Sequence, residues 1–168
     1  MAWWGLTLVC LLAVQGCATP PGGSATTSTQ PPAARDTAAA RPSGLAVERQ
    51  WLQSWFKGTP VRIEALSTDA FSIEVPLKFA FDAGRSTVKP PLAAVLDKLA
   101  QSLQRKPMAR VELLAAPGDA EAASPLALQR AGNVRKHLFA RGVALEQLGP
   151  PTAAPVAVMQ LRIGLAAH

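Results

Sequence analysis

The chain has 168 residues, enough for one domain of ordinary size. Hydrophobic residues make up 49% of it but aromatic residues only 5%, and the formal net charge is +6. Two cysteines exclude a disulfide-rich scaffold, while the positive charge alone would suit nucleic acid, anionic lipid or another acidic polymer.

The amino-terminal segment has the features of a signal peptide. Residues 3–14 are an uncharged and largely apolar run of about a dozen residues, whereas a membrane-spanning helix needs about 20. Residues 14–17 read Val-Gln-Gly-Cys and resemble the lipobox of bacterial lipoproteins. The resemblance implies that residues 1–16 are removed, that Cys17 carries acyl chains and that Ala18 directs the protein to the outer membrane. An ordinary secretory signal cleaved near Ala18, or a buried first helix, are the alternatives.

A linker follows the cysteine. Residues 17–44 are rich in Pro, Ala and Thr and contain almost no large apolar side chain. Such a segment buries too little surface to offset the entropy of ordering, so we expect a disordered tether.

Residues 45–58 have the pattern of an amphipathic helix followed by a stop. Large apolar side chains, including Trp51 and Trp55, fall on one helical face over residues 45–57, and Gly58 stands where a helix ends. The helix either packs on its own domain or presents Trp51 and Trp55 to another envelope protein.

Residues 59–168 begin with two predicted strands. Residues 61–67 and 71–81 have strand character, and Thr68 and Asp69 supply turn chemistry between them. Pro76 predicts a break in the second strand or a sheet edge.

The remaining elements alternate between helix and strand. Leucines and valines at helical spacing follow Pro90, and a buried strand is predicted over residues 110–115. A second helix starts at Ser124, an N-cap, and stops at Gly142, and residues 160–165 form the last strand. This order predicts an α+β sandwich, a βαβαβ arrangement with a mixed sheet covered by helices.

Together these elements resemble the OmpA-like peptidoglycan-binding domain of outer-membrane proteins and peptidoglycan-associated lipoproteins. The resemblance covers about residues 71–165. It is carried by Phe81-Asp82-Ala83-Gly84 before the first long helix, by residues 111–119 as a strand ending in a loop aspartate, by Leu126, Arg130, Ala131, Val134 and Leu138 in the second helix, and by Gln160-Leu161-Arg162-Ile163.

The resemblance implies binding to diaminopimelate in the peptide stems of the cell wall. One end of that side chain carries an ammonium and a carboxylate, which call for a protein carboxylate and a guanidinium. The residues at the corresponding positions are Asp119 and Arg130. The implied function is non-covalent tethering of the envelope to peptidoglycan, with no reaction and no cofactor.

The sequence also departs from the family pattern around this site. Arg130 follows Asp119 by only eleven positions, fewer than is usual, and Gly118 precedes the aspartate where Thr is usual. Ala123 and Ala127 also replace hydrogen-bonding residues. The alternative is therefore a lipoprotein that kept the fold, lost wall binding and binds a protein partner, with Asp119 as a solvated loop acid and Arg130 as a surface arginine.

No other pattern in the sequence indicates a catalytic or metal-binding site. The sequence contains no nucleophile motif, phosphate loop or cluster at metal-ligand spacing, so we expect neither an enzyme nor a metal site. His137 is interpreted as part of a solvated helix face, and His168 is the last residue. Two groups of basic residues lack interleaved aromatics and do not indicate nucleic-acid binding, but could attract an anionic wall polymer; they are Arg105, Lys106 and Arg110, and Arg135, Lys136 and Arg141.

Overall fold

The computed structural model describes residues 44–119 and 124–166. The predicted signal peptide, Cys17 and most of the tether lie outside these ranges, as do Ala123 and His168. The helices are α1 (Ala46–Trp55), α2 (Leu77–Ala80), α3 (Pro90–Arg105) and α4 (Pro125–Ala140), with a 3-10 turn at Leu145–Gln147. The strands are β1 (Arg62–Ser67), β2 (Ala70–Pro76), β3 (Ala109–Ala116), β4 (Pro151–Ala153) and β5 (Val158–Leu165).

The strands form one mixed sheet in the order β1-β2-β5-β3-β4. β3 and β4 are parallel, and the other neighbours are antiparallel. Phe71, Ile73 and Val75 of β2 are buried, whereas the residues between them are half-buried. This alternation shows that the helices cover one face of the sheet, as the sequence predicts for an α+β sandwich.

The helices pack on that face through the residues predicted from their spacing. In α3 the apolar positions are all buried; they are Leu92, Val95, Leu96, Leu99 and Leu103. α4 begins where expected, because the Ser124 Oγ accepts a hydrogen bond from the Ala127 amide at 3.2 Å and Pro125 occupies the first helical position. It ends before Gly142, which takes a positive φ of 85° that an L side chain rarely adopts.

α1 belongs to the same hydrophobic core as the rest of the described residues. Leu45 and Leu52 are buried in that core, so the boundary expected after residue 58 does not separate two cores. Glu48 is also buried and accepts hydrogen bonds from Ser102 Oγ at 2.8 Å and Arg105 Nη2 at 2.6 Å. Burial raises the pKa of Glu48, but the bonds from Arg105 and Ser102 outweigh it and hold the pKa below its ordinary value.

The prediction for the second strand is wrong at its carboxyl end. The strand ends at Pro76, as that proline indicated, but residues 77–80 form the helical turn α2 instead of continuing to residue 81. Pro76 has no N–H to donate to a neighbouring strand, and the turn after it places Ala80 and Phe81 in the core. β4 and the 3-10 turn were not predicted, because three-residue elements are too short to show a period.

Candidate functional site

The candidate site lies where β3 ends, beside the second turn of α4 and the loop after α2. α4 directs Arg130 to the same side as Ala127 and Val134, which are buried three positions before and four positions after it. The start of α4 at Pro125 thus determines that Arg130 points into the protein. Its side chain is 0% exposed.

Arg130 is held by four hydrogen bonds to protein atoms. Its Nε donates to the Arg85 carbonyl at 2.8 Å, Nη1 to the Pro117 carbonyl at 2.9 Å and Nη2 to the Asp82 carbonyl at 3.0 Å. Nη2 also donates to Asp119 Oδ1 at 2.6 Å. The guanidinium lies 5.0 Å from the centre of the Phe81 ring. The loop after α2 and the loop after β3 are therefore joined to α4 through one buried cation.

Asp119 is fixed on both oxygens but remains partly open to solvent. Oδ1 accepts from Arg130, and Oδ2 accepts from the Gly84 amide at 2.5 Å. Its side chain is 36% exposed. The Gly84 amide, followed by the Arg130 guanidinium, holds the pKa of Asp119 below its ordinary value, against a smaller opposing effect of burial. The carboxylate is therefore ionised at neutral pH, and its remaining lone pairs can accept hydrogen bonds from a cation.

Asp119 lines an open cleft of about 650 Å³ that also contains both signs of charge. Lys89 Nζ lies 2.8 Å from Asp82 Oδ1 and donates to the Lys78 carbonyl at 3.1 Å. The apolar part of the cleft wall includes Phe81. The full lining is Pro76, Leu77, Lys78, Phe81, Asp82, Ala83, Lys89, Asp119 and Ala157.

The structure brings the two predicted site residues together. Asp119 and Arg130 form an ion pair, so the alternative of a surface arginine is wrong and Asp119 is not simply a solvated loop acid. Arg130 lies behind Asp119 and does not line the cleft. A direct contact between its guanidinium and a ligand stays a prediction.

The position of Lys89 in the cleft wall was not predicted from the sequence. Asp82 was part of the segment that carried the family resemblance, but nothing in the sequence connects it with Lys89, seven positions later. Pro90 immediately after Lys89 begins α3, which fixes the lysine backbone at the cleft, and this is the only signal that the sequence offers.

Trp51 and Trp55 have different surroundings. Their rings form an edge-on pair with centroids 6.2 Å apart, and Lys98 Nζ lies 3.6 Å from the Trp55 centroid. Trp51 packs against the core and has the Arg105 guanidinium 4.0 Å from its ring centroid. Trp55 is 54% exposed. Trp51 thus packs on its own domain, whereas a partner contact through Trp55 stays a prediction.

The interpretation of His137 as a solvated residue is wrong. His137 is half-buried, and its Nε2 lies 2.7 Å from Asp97 Oδ1. Arg141 Nε lies 2.8 Å from the same oxygen. Since Arg105 is bonded to Glu48, one cation of each predicted basic group is engaged in an ion pair. The contact between α3 and α4 explains His137, which a helix pattern by itself could not reveal.

The described ranges lack two other kinds of feature. Within residues 44–119 and 124–166, no three His, Cys, Asp or Glu side chains are grouped to hold a metal ion. Over those same ranges, no helix has the length and apolar character to span a bilayer.

Comparisons with known proteins give the fold. No family model and no curated protein sequence matches the chain. It is similar in structure to a MotB-like protein from Desulfovibrio vulgaris, with 13% identity over 73% of this chain and 91% of that one and a TM-score of 0.58. The periplasmic domain of Helicobacter pylori MotB gives 17% identity, 63% and 85% coverage and a TM-score of 0.53.

A third solved structure is similar over most of its own length. It is the cell wall anchor of the T6SS from Pseudomonas aeruginosa, with 14% identity over 76% of this chain and 99% of that one and a TM-score of 0.52. Structural similarity at such low sequence identity establishes the fold and not the function. The described domain has the OmpA-like fold that the sequence resemblance predicts.

Proposed function

We propose that the protein is an outer-membrane lipoprotein whose OmpA-like domain binds peptidoglycan non-covalently and so tethers the envelope to the cell wall. The observation that carries the proposal is the ionised Asp119 carboxylate, held by Arg130 and Gly84 at the wall of a cleft that contains both signs of charge. A similar structure, the T6SS anchor, is named for attachment to the cell wall, which supports a partner of the same class.

The charges of the cleft support a zwitterionic ligand such as diaminopimelate. The free end of diaminopimelate carries an ammonium and a carboxylate on one carbon, and its hydrocarbon chain is apolar. Asp119 would accept hydrogen bonds from the ammonium, while the half-buried Leu77 offers an apolar wall for the chain. Arg130 would keep Asp119 in place, because a carboxylate that is already oriented loses less entropy when it binds.

The proposed membrane anchor lies in the amino-terminal sequence. Acyl chains on Cys17 would hold the protein in the outer membrane, and residues 18–44 would link the anchor to a domain in the periplasm. One acyl chain gives only marginal membrane binding, whereas several on one residue anchor firmly.

The Asp119→Asn variant tests the wall-binding site. Asparagine keeps the shape and an oxygen for Arg130 but removes the negative charge that an ammonium requires. We expect the full-length protein, purified in detergent, to sediment with purified peptidoglycan and the variant to remain in the supernatant. Glu64→Gln is the matched control, because it removes one negative charge at an exposed position of β1 and should sediment like the parent.

Competition with free diaminopimelate distinguishes binding to the peptide stem from binding to glycan or to protein in the wall preparation. Free diaminopimelate should release the parent protein from the pellet. If Asp119→Asn sediments as well as the parent, the proposed site is rejected. If the parent sediments but the free amino acid does not release it, the contact is with glycan or with protein in the wall preparation, and recognition of diaminopimelate is rejected.

A second candidate function is favoured by the exposure of Trp55. A lipoprotein with this fold could bind another envelope protein through the outer face of α1, where Trp55 is 54% exposed and Lys98 lies beside it. Trp51 would contribute less, because it is packed against the core. Under this alternative, Asp119→Asn would leave the location and the partner of the protein unchanged, and Trp55→Ala would release the partner.

A further inference from the structure

We propose that Lys89 binds the carboxylate of the wall ligand and that Arg130 is a positioning residue that acts through Asp119. The inference rests on the proposed function, because it assigns a cation to the second charge of the same zwitterion. It concerns a residue that the spacing of Asp119 and Arg130 does not reveal.

The surroundings of Arg130 argue against a direct contact with the ligand. Its side chain is 0% exposed, and it donates to three backbone carbonyls besides Asp119. A movement into the cleft would leave the carbonyls of Arg85, Pro117 and Asp82 without this donor. The bond to the Pro117 carbonyl is buried, and a buried carbonyl without a partner is costly, so the guanidinium is expected to stay where it is.

Lys89 has the placement that Arg130 lacks. It lines the cleft, and its side chain is 30% exposed. The Lys89 amide donates to the Ala80 carbonyl at 3.0 Å, and the Lys89 carbonyl accepts from the Ala93 amide at 2.9 Å, so its backbone is fixed at the start of α3. An ammonium has three donors, of which two meet Asp82 and the Lys78 carbonyl. The third can be offered to a carboxylate in the cleft.

The arrangement of charges suits a zwitterion. Asp82 and Lys89 form one ion pair and Asp119 and Arg130 form another, and both pairs include residues of the cleft wall. A ligand ammonium at Asp119 and a ligand carboxylate at Lys89 would form two further ion pairs with the cleft wall. Lys78 is less well placed, because it is exposed and its Nζ lies 4.9 Å from the centre of the Phe79 ring.

Two synthetic stem tetrapeptides test the assignment. One carries meso-diaminopimelate at the third position, and the other carries L-lysine, whose side chain ends in an ammonium with no carboxylate. Calorimetric titration of the full-length protein in detergent measures both affinities. We expect the parent to prefer the diaminopimelate peptide by about tenfold, the effect of one charge-assisted hydrogen bond.

The Lys89→Met variant should lose this preference. Its affinity for the diaminopimelate peptide should fall by about tenfold, while its affinity for the lysine peptide should not change. Lys57→Met, which removes one exposed positive charge in the turn after α1, should behave like the parent. Lys78→Met should also retain the preference. A urea midpoint equal to that of the parent would show that Lys89→Met is folded.

The possible results separate the inference from the proposed function. A parent protein that binds neither peptide contradicts the proposed function itself. A parent that binds both peptides equally, or a Lys89→Met variant that retains the preference, overturns the assignment of Lys89 and leaves wall binding standing. Loss of the preference in Lys78→Met alone would transfer the role to Lys78 and equally overturn the assignment.

Discussion

Arg130→Met should destabilise the domain by about 3–5 kcal/mol, because it removes four hydrogen bonds that each contribute about 0.5–1.5 kcal/mol, or more where the partner is charged. Methionine fills much of the space of the arginine stem but cannot donate to the three carbonyls or to Asp119. The loss should appear as a lower midpoint of urea denaturation followed by circular dichroism, with an unchanged slope.

Arg110→Met is the control for this variant. It removes the same positive charge from an exposed position in β3 and should change stability by no more than about 0.5 kcal/mol. Equal midpoints for the two variants would contradict the role of Arg130 in joining the loops. Because Arg130→Met weakens the fold, its loss of wall binding alone would not distinguish a contact residue from a positioning one. Asp119→Asn and Lys89→Met are therefore the more informative binding variants.

Leu52→Ala should destabilise the domain by about 2–5 kcal/mol, the range for truncation of a fully buried leucine. Leu52 is 0% exposed and lies in the core that α1 shares with the sheet and α3. α1 is also joined to the domain by the bonds of Glu48 and by Gln53 Nε2, which donates to the Ile63 carbonyl at 2.7 Å. We therefore expect one cooperative transition in urea, shifted as a whole to lower concentration.

Val47→Ala provides the comparison within the same helix. Val47 is 45% exposed, so its truncation should change the free energy of unfolding by no more than about 0.5 kcal/mol. If Leu52→Ala unfolds at the same urea concentration as Val47→Ala, α1 is not part of the cooperative unit. α1, with the exposed Trp55, would then be free to act as a separate docking segment.

The long helices were predictable from the sequence because their burial repeats over several turns. The α3 spacing and the Ser124 N-cap of α4 are local signals, and the structure confirms both. Residues 77–80 were not predictable as a helix, because strand and helix patterns cannot be separated over one turn. β4 depends on its parallel pairing with β3, a contact that leaves no local pattern.

The candidate site was predictable only in part. The family resemblance identified Asp119 and Arg130, and the structure places them within hydrogen-bond distance. The burial of Arg130 follows from the direction of α4 and from three carbonyls on two other loops, which the sequence does not indicate. Lys89 and His137 were missed for the same reason, since each meets its partner only after the chain folds.

The central claim is that the ligand ammonium binds Asp119 in the cleft, and the Gly84 amide is a direct reporter of that event. Gly84 N–H donates to Asp119 Oδ2, so its NMR resonance must respond when a cation competes for that carboxylate. Titration of the ¹⁵N-labelled protein with the diaminopimelate tetrapeptide should shift Gly84 and the amides of residues 77–83 in a saturable manner. An unmoved Gly84 resonance, with shifts confined to α1 around Trp55, would contradict the claim.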